Sequence, residues 1–283
     1  MNYRNTYLIR SWQQRALCAL TGVAMALTAF AWGQKGHDVT AYIAEKHLTP
    51  ATAAAVDSLL EGRSLVYWSN WLDNASHTPE YAYTKTWHYN NVDEGQTYET
   101  RKAAPDGDAI TALRYCIGIL ADSGKNRSDK ALALKMLSHI LGDIHQPLHM
   151  GHATDFGGNT VKLKYFGRDT NLHSMWDNAL PESAHKWSYT EWQQQIDRAT
   201  PTGEKIIISG NIDDWAKQSV AIAADVYRFF PAGKHVSYND VAHWAPVIEE
   251  QFLKGGLRLA HVLNTIFDPA YSGGGTINTP SQF

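Results

Sequence analysis

The chain has 283 residues, of which 44% are hydrophobic, 19% charged and only two are cysteine. That is enough apolar material for a sizeable core, but it excludes a fold held together by disulfides. The formal net charge of −3 also excludes a protein that grips nucleic acid with Lys and Arg alone.

The first 31 residues read as a signal peptide. Arg4, Arg10 and Arg15 form a basic start with no acidic residue, an apolar run follows from Ala16, and Ala29-Phe30-Ala31 makes a small-x-small cleavage site. The run is shorter than the roughly 20 apolar residues of a spanning helix, which leaves an uncleaved anchor as the weaker reading. No later segment is apolar enough to span a bilayer. Cleavage after Ala31 makes Trp32 the first mature residue. Without the three arginines, 22 basic side chains face 28 acidic ones, a formal charge of −6. Phosphate affinity must then come from another source, and bound divalent cations are the candidates. Cys18 falls in the signal peptide, and Cys116 stands alone in an apolar helical run as a small buried hydrophobe. An exported chain without an internal disulfide points to the periplasm or to secretion.

The mature chain reads as one mainly α domain over residues 32–283. Val39, Tyr42 and Ile43 set a helix over 39–47. Thr49 as N-cap, Pro50 as first residue and Gly62 as terminator bracket a second helix through Leu60. Further helices are expected over 65–75, 108–120, 128–145, 212–230 and 242–267. The alternation of Val161, Leu163 and Tyr165 after the Gly157-Gly158-Asn159 turn predicts one strand and a small hairpin. The Gly-rich tail from about residue 272 is expected to be loosely packed.

All thirteen histidines lie in the mature chain. His139 with Asp143, and His173 with Asp177, have the i, i+4 spacing that puts two ligands on one helical face. Chance alone supplies about one such pair in a chain this rich in His, so the spacing is weak by itself. The segment from His139 to His149 adds weight, because it holds three His and an Asp around the helix exit that Pro147 imposes. His145 points more than a quarter-turn away from His139 and is the odd member.

Taken in order, Trp32-Gly33 with Gly36-His37, Trp71-Leu72-Asp73, Trp87-His88-Tyr89, His139 to His149, Gly157-Gly158-Asn159 and Asn171 to Asp177 resemble the S1/P1 nucleases over nearly all of the mature chain. That resemblance implies a helical fold shared with zinc-dependent phospholipases C. It also implies hydrolysis of single-stranded DNA or RNA to 5′-phosphorylated products, with 3′-nucleotidase activity, and no protein partner. It further implies three Zn2+ ions: one on Asp73, His88, His139 and Asp143, one on Trp32, His37 and the bridging Asp143, and a third on His149, His173 and Asp177. Trp32 would contribute its free α-amino group and carbonyl, which agrees with the cleavage site. Asp73 would orient or deprotonate the attacking water, Tyr89 would stack a base, and Asn159 would contact substrate. Where relatives place a basic residue after Trp-x-Asp, this chain has Asn74, Ala75, Ser76 and His77. Two competing readings remain: a phospholipase C on the same scaffold, and a periplasmic zinc-binding protein without catalysis.

Overall fold

Capping residues and apolar periodicity together decide where the helices begin and end. The computed structural model describes residues 32–273, so the expected signal peptide and all but the first residues of the expected loose tail lie outside it. Helix α1 (Gln34–Lys46) is followed by α2 (Pro50–Leu59), where the Thr49 hydroxyl accepts from the Thr52 amide and Pro50 opens the first turn. Gly62 has φ +76° past the end of α2, a conformation that glycine adopts without steric cost.

The single helix expected over 65–75 is instead two, α3 (Leu65–Trp68) and α4 (Trp71–Ala75). The break at Ser69-Asn70 is caused by a residue far off in the chain. The Ser69 hydroxyl and the Asn70 amide both turn to Asp38 Oδ1, at 3.1 and 2.7 Å, and such side-chain bonds compete with a continuing helix. Helix α5 (Ala109–Ala121) opens with an Asp108/Thr111 capping box, and α6 (Arg127–Asp143) opens on the Asn126 cap. Helix α6 stops at Asp143, two residues earlier than expected, and a turn then leads into the 3-10 segment Pro147–Met150.

The hairpin pairs β1 (Lys162–Tyr165) with β2 (Arg168–Asn171) and closes through Phe166 and Gly167. A short third strand, β3 (His235–Val236), runs parallel to β1 on its other side and carried no sequence signal. Helix α7 (Leu172–Ser174) passes through a π-turn (Met175–Ala179) into α8 (Leu180–Ala184). Two helices not separately anticipated, α9 (Tyr189–Ile196) and α10 (Pro201–Ile208), precede α11 (Ile212–Phe229). The last helix, α12 (Tyr238–Phe267), begins four residues before the expected Ala242 because Ser237 and Asp240 form a capping box. The protein is mainly α, and among the described residues no helix is long and apolar enough to cross a membrane.

Two apolar clusters fill the interior. One gathers Leu113, Cys116, Leu137, Ile140 and Leu263; the other gathers Trp32, Trp176, Trp192, Trp244 and Phe252. Cys116 is a free, buried member of the first, and burial pushes its thiol up to about 12. Helix α1 lies between the clusters, giving Ala41 and Ala44 to one and Val39 and Ile43 to the other. It packs closely on α12, because a Cβ at Gly256 would stand only 2.4 Å from Ile43 Cβ. His37 therefore sits on a helix enclosed between the two clusters.

Candidate metal centre

Nearly all of the His and Asp residues expected to bind metal are buried. His37, His139 and Asp143 are at 0% exposure, and His88, His149, His173 and Asp177 stay at or below 6%. Their donor atoms fall into three groups, each within 4.8 Å: Asp73 with His88 and His139, His37 with His139 and Asp143, and His149 with His173 and Asp177.

The first group has the spacing of a tetrahedral site. A four-coordinate zinc with bonds of about 2.0–2.1 Å sets its ligand atoms about 3.3 Å apart. His88 Nδ1 is 3.1 Å from Asp143 Oδ2, 3.0 Å from His139 Nε2 and 3.7 Å from Asp73 Oδ1. His139 Nε2 is 3.2 Å from Asp143 Oδ2 and 3.4 Å from Asp73 Oδ1. The same four atoms recur in every pair, so they surround a common point.

Asp143 links the groups. Its Oδ2 faces His88 and His139, while Oδ1 lies 3.3 Å from His37 Nε2 and 3.4 Å from His149 Nδ1. The ring of His37 stacks on that of His139 with centroids 3.9 Å apart. In the third group His173 Nε2 stands 3.3 Å from Asp177 Oδ2, and the rings of His149 and His173 are stacked at 5.2 Å.

Surrounding groups fix the tautomers. The Ser69 carbonyl, at the α3–α4 break, accepts from His139 Nδ1 at 2.6 Å, which leaves the Nε2 lone pair facing the carboxylates. The Gly157 carbonyl does the same for His173 Nδ1 at 2.7 Å. Gln146 Nε2 donates to Asp177 Oδ1 at 2.6 Å and leaves Oδ2 toward His173.

The donor set fits divalent metal on independent grounds. Both ring nitrogens of His37, Asp143 Oδ1 and Asp177 Oδ2 are buried without a hydrogen-bond partner, a cost that proteins rarely carry unless an ion offsets it. Burial pulls the His139 imidazole down, but the Asp143 and Asp73 carboxylates overcome it and hold it well above its ordinary value. Burial pushes Asp143 up, and His139 and His149 outweigh that to hold it well below. The first group therefore favours a positive charge among its carboxylates. In the third group burial drives the Asp177 carboxyl well above its usual range, against the Gln146 hydrogen bond. A cation beside it would favour the charged carboxylate.

The remaining site candidates differ. Trp32 gives no side-chain donor to the groups. Its ring is buried edge-on against Phe252 at 4.8 Å, and the adjacent Gly33 amide donates to the Asp177 carbonyl at 3.0 Å. Tyr89 is half-buried and lines a cavity of about 210 Å³ with Asn91, Lys102 and Pro105. Asn159 is 3% exposed, and its Nδ2 donates to the Phe156 carbonyl, so its amide holds the turn against His173. His77 is exposed and donates from Nδ1 to the Asp73 carbonyl at 2.7 Å. His145 belongs elsewhere: Nδ1 donates to the Leu141 carbonyl, and Nε2 accepts from the buried Arg258.

Several participants had no signal in the sequence. Gln146, Ser69 and the Gly157 carbonyl matter only through folded geometry. Phe156 stands 60% exposed in the left-handed region, φ 56°, on the turn beside His173. Glu61 and Phe166 share that conformation in turns away from the site.

Comparison with known proteins finds matches over nearly all of the described residues. The S1/P1 Nuclease family model matches residues 32–268. Endonuclease 4 of Arabidopsis thaliana is 30% identical over 94% of this chain and 98% of its own length. Nuclease S1 of Aspergillus oryzae is 29% identical over 86% of this chain and 94% of its own, and Nuclease P1 of Penicillium citrinum 28% over 83% and 97%.

Proposed function

The chain belongs to the S1/P1 nuclease family and is a hydrolase acting on nucleic acid; from that premise we propose that it is an exported, single-domain enzyme that uses three Zn2+ ions to hydrolyse single-stranded DNA and RNA. Its products carry 5′-phosphates, and it removes 3′-phosphates from nucleotides as well. The observation that carries this reading is the common point enclosed by Asp73, His88, His139 and Asp143 at tetrahedral spacing, with Asp143 reaching a second group through its other oxygen.

In this reading His88, His139, Asp73 and Asp143 hold one ion, Trp32, His37 and Asp143 a second, and His149, His173 and Asp177 a third. Bound zinc supplies Lewis-acid charge that brings the pKa of water toward about 7 and offsets charge developing on the phosphate. Asp73 is the most open of the site carboxylates, with its side chain 21% exposed. It orients the attacking water and takes its proton, while the buried residues hold still. Tyr89 stacks a base at the edge of its cavity, a contact worth roughly 1–3 kcal/mol. Asn159 acts mainly by keeping the Phe156–Gly158 turn in place beside the phosphate.

The test is release of acid-soluble nucleotides from single-stranded DNA by protein processed to begin at Trp32, with and without a zinc chelator. Activity lost to the chelator and restored by zinc supports the proposal. Hydrolysis of phosphatidylcholine without action on DNA would replace it with a phospholipase. Full zinc occupancy with no turnover on any phosphoester would leave a binding protein.

A further inference from the structure

Beside the metal centre the surface carries a continuous band of aromatic rings. Trp71 meets Tyr81 at 5.0 Å between centroids, Tyr81 meets Tyr83 at 6.5 Å, Tyr83 meets Trp87 at 5.3 Å, and Trp87 meets Tyr115 at 5.8 Å. The band shares its helices with the site, since Trp71 lies two residues before Asp73 and Trp87 immediately before His88, with the rings turned to a different face from those ligands. At the Trp71 end Lys135 Nζ sits 3.3 Å over the Trp68 ring and 5.8 Å from that of Trp71. Tyr67 packs edge-on against Trp68 at 4.9 Å, under the Arg63 guanidinium.

Trp68, Trp71, Tyr81 and Trp87 rest on the first apolar cluster, but the tyrosines beyond them stand out from it. Tyr67, Tyr83 and Tyr115 are 57%, 51% and 57% exposed, three of the seven large hydrophobic residues that stand out among the described residues. Apolar rings gathered in one exposed band signal an interaction surface, whereas scattered ones would need no explanation. Along the band the cations Arg63, Lys85 and Lys135 outnumber the carboxylates Glu61 and Glu80 by one, and Glu80 is hydrogen-bonded to Tyr81. Cations set next to exposed ring faces are what single strands require: ring faces for bases and nearby positive charge for the backbone.

We propose that this band is an extended strand-binding surface that holds the part of a single-stranded polynucleotide lying outside the metal centre. It rests on the nuclease reading given above, and it makes the enzyme prefer long strands to short ones. The exposed tyrosines do the stacking, while the half-buried tryptophans hold them in place.

The test compares kcat/KM for a 20-nucleotide oligothymidylate with that for a thymidine dinucleotide, using zinc-loaded wild type and the Tyr83→Ala/Tyr115→Ala double variant. Both residues are more than half exposed, so folding should survive; unchanged circular dichroism and zinc content check that. The ratio of the two values should fall by about tenfold in the double variant, given the usual worth of stacked bases. Tyr238→Ala, which removes a 79% exposed ring outside the band, should leave the ratio as it is. An unchanged ratio in the double variant overturns the proposal. If wild type cleaves neither substrate, the nuclease reading fails, but the surface is still testable by fluorescence anisotropy with a cleavage-resistant phosphorothioate oligothymidylate. Binding to wild type that weakens in the double variant supports the band, whereas equal binding to both, or retention only on an insoluble polysaccharide, refutes it.

Discussion

Two glycines inside helices offer a sharp test, because the same substitution should have opposite signs. Replacing a mid-helix glycine with alanine ordinarily stabilises by about 0.5–1 kcal/mol, through lower backbone entropy in the unfolded chain. At Gly118, inside α5, an added Cβ meets nothing within 4 Å, so Gly118→Ala should gain that amount in full. At Gly142, in the last turn of α6, the Cβ would lie 3.0 Å from His37 Nδ1 and 3.3 Å from Thr40 Oγ1. Neither neighbour can retreat easily. The Thr40 hydroxyl donates to the Gly36 carbonyl at 3.0 Å, and His37 is stacked on His139. Overpacking of this kind costs about 1–3 kcal/mol, which exceeds the entropic gain and leaves Gly142→Ala destabilised by roughly 1–2 kcal/mol. For a chain of this size, 1 kcal/mol moves Tm by about 2–4 °C, so the two variants should melt on opposite sides of wild type. Gly142→Ala should also lose metal, because His37 is displaced from Asp143. Differential scanning calorimetry and elemental zinc analysis on both proteins measure the two effects. A Gly142→Ala protein that is stabilised like Gly118→Ala and keeps its full zinc would refute the enclosure of His37 and the role proposed for it.

Three further outcomes follow from the site and its supports. Asp73→Asn should lower turnover on single-stranded DNA by about 10²-fold or more; full zinc and full turnover in that variant would remove Asp73 from the chemistry. Gln146→Leu takes away the 2.6 Å donor to Asp177 Oδ1 and should weaken zinc binding by about 10–100-fold, read by competition with a chromogenic chelator. The His47–Asp197 pair, 3.0 Å apart, should give a pH-dependent contribution to stability. The Asp197 hydrogen bond raises His47 against the effect of burial, so this contribution is complete below 6.5 and is lost as pH climbs through the raised value. Burial pushes Asp197 up, but its bonds from His47 and Gln193 outweigh that and lower it, so its share is present above 3.8 and is lost as pH falls through the lowered value. The stability deficit of His47→Asn should thus be largest between about pH 4 and 6.5 and shrink in more alkaline buffer; a deficit that stays constant to pH 9 would contradict the pairing.

Much of the site was legible in the sequence because metal binding needs particular residue types at particular spacings. His139 with Asp143 and His173 with Asp177 can be picked out by i, i+4 spacing, and Pro147 explains why His149 leaves the helical face. The helices followed from caps such as Thr49 and Asp108, whose side chains bond the first turn wherever they occur. What could not be read depended on distant partners. Nothing in the run from Leu65 to Ala75 says that Asp38 will draw Ser69 and Asn70 out of helical conformation, yet that break frees the carbonyl that orients His139. Strand β3 is two residues long and exists because β1 offers it an edge. Gln146 lies in plain view in the motif, but its bond to Asp177 joins residues 31 apart and has no local signature.

The close seating of α1 on α12 has a consequence for when the enzyme can exist at all. Thr49, just past the end of α1, is hydrogen-bonded to Asn264 in α12 across 215 residues of chain, and Gly256 admits Ile43 only by having no side chain. Closing so long a loop is slow and yields nothing until the far end arrives. His37 is carried on α1, so its place beside Asp143 is secured only once α12 has been synthesised and docked. An incomplete chain holds most of the site's residues but not the wall that sets them in register, so the centre waits for its C-terminal helix.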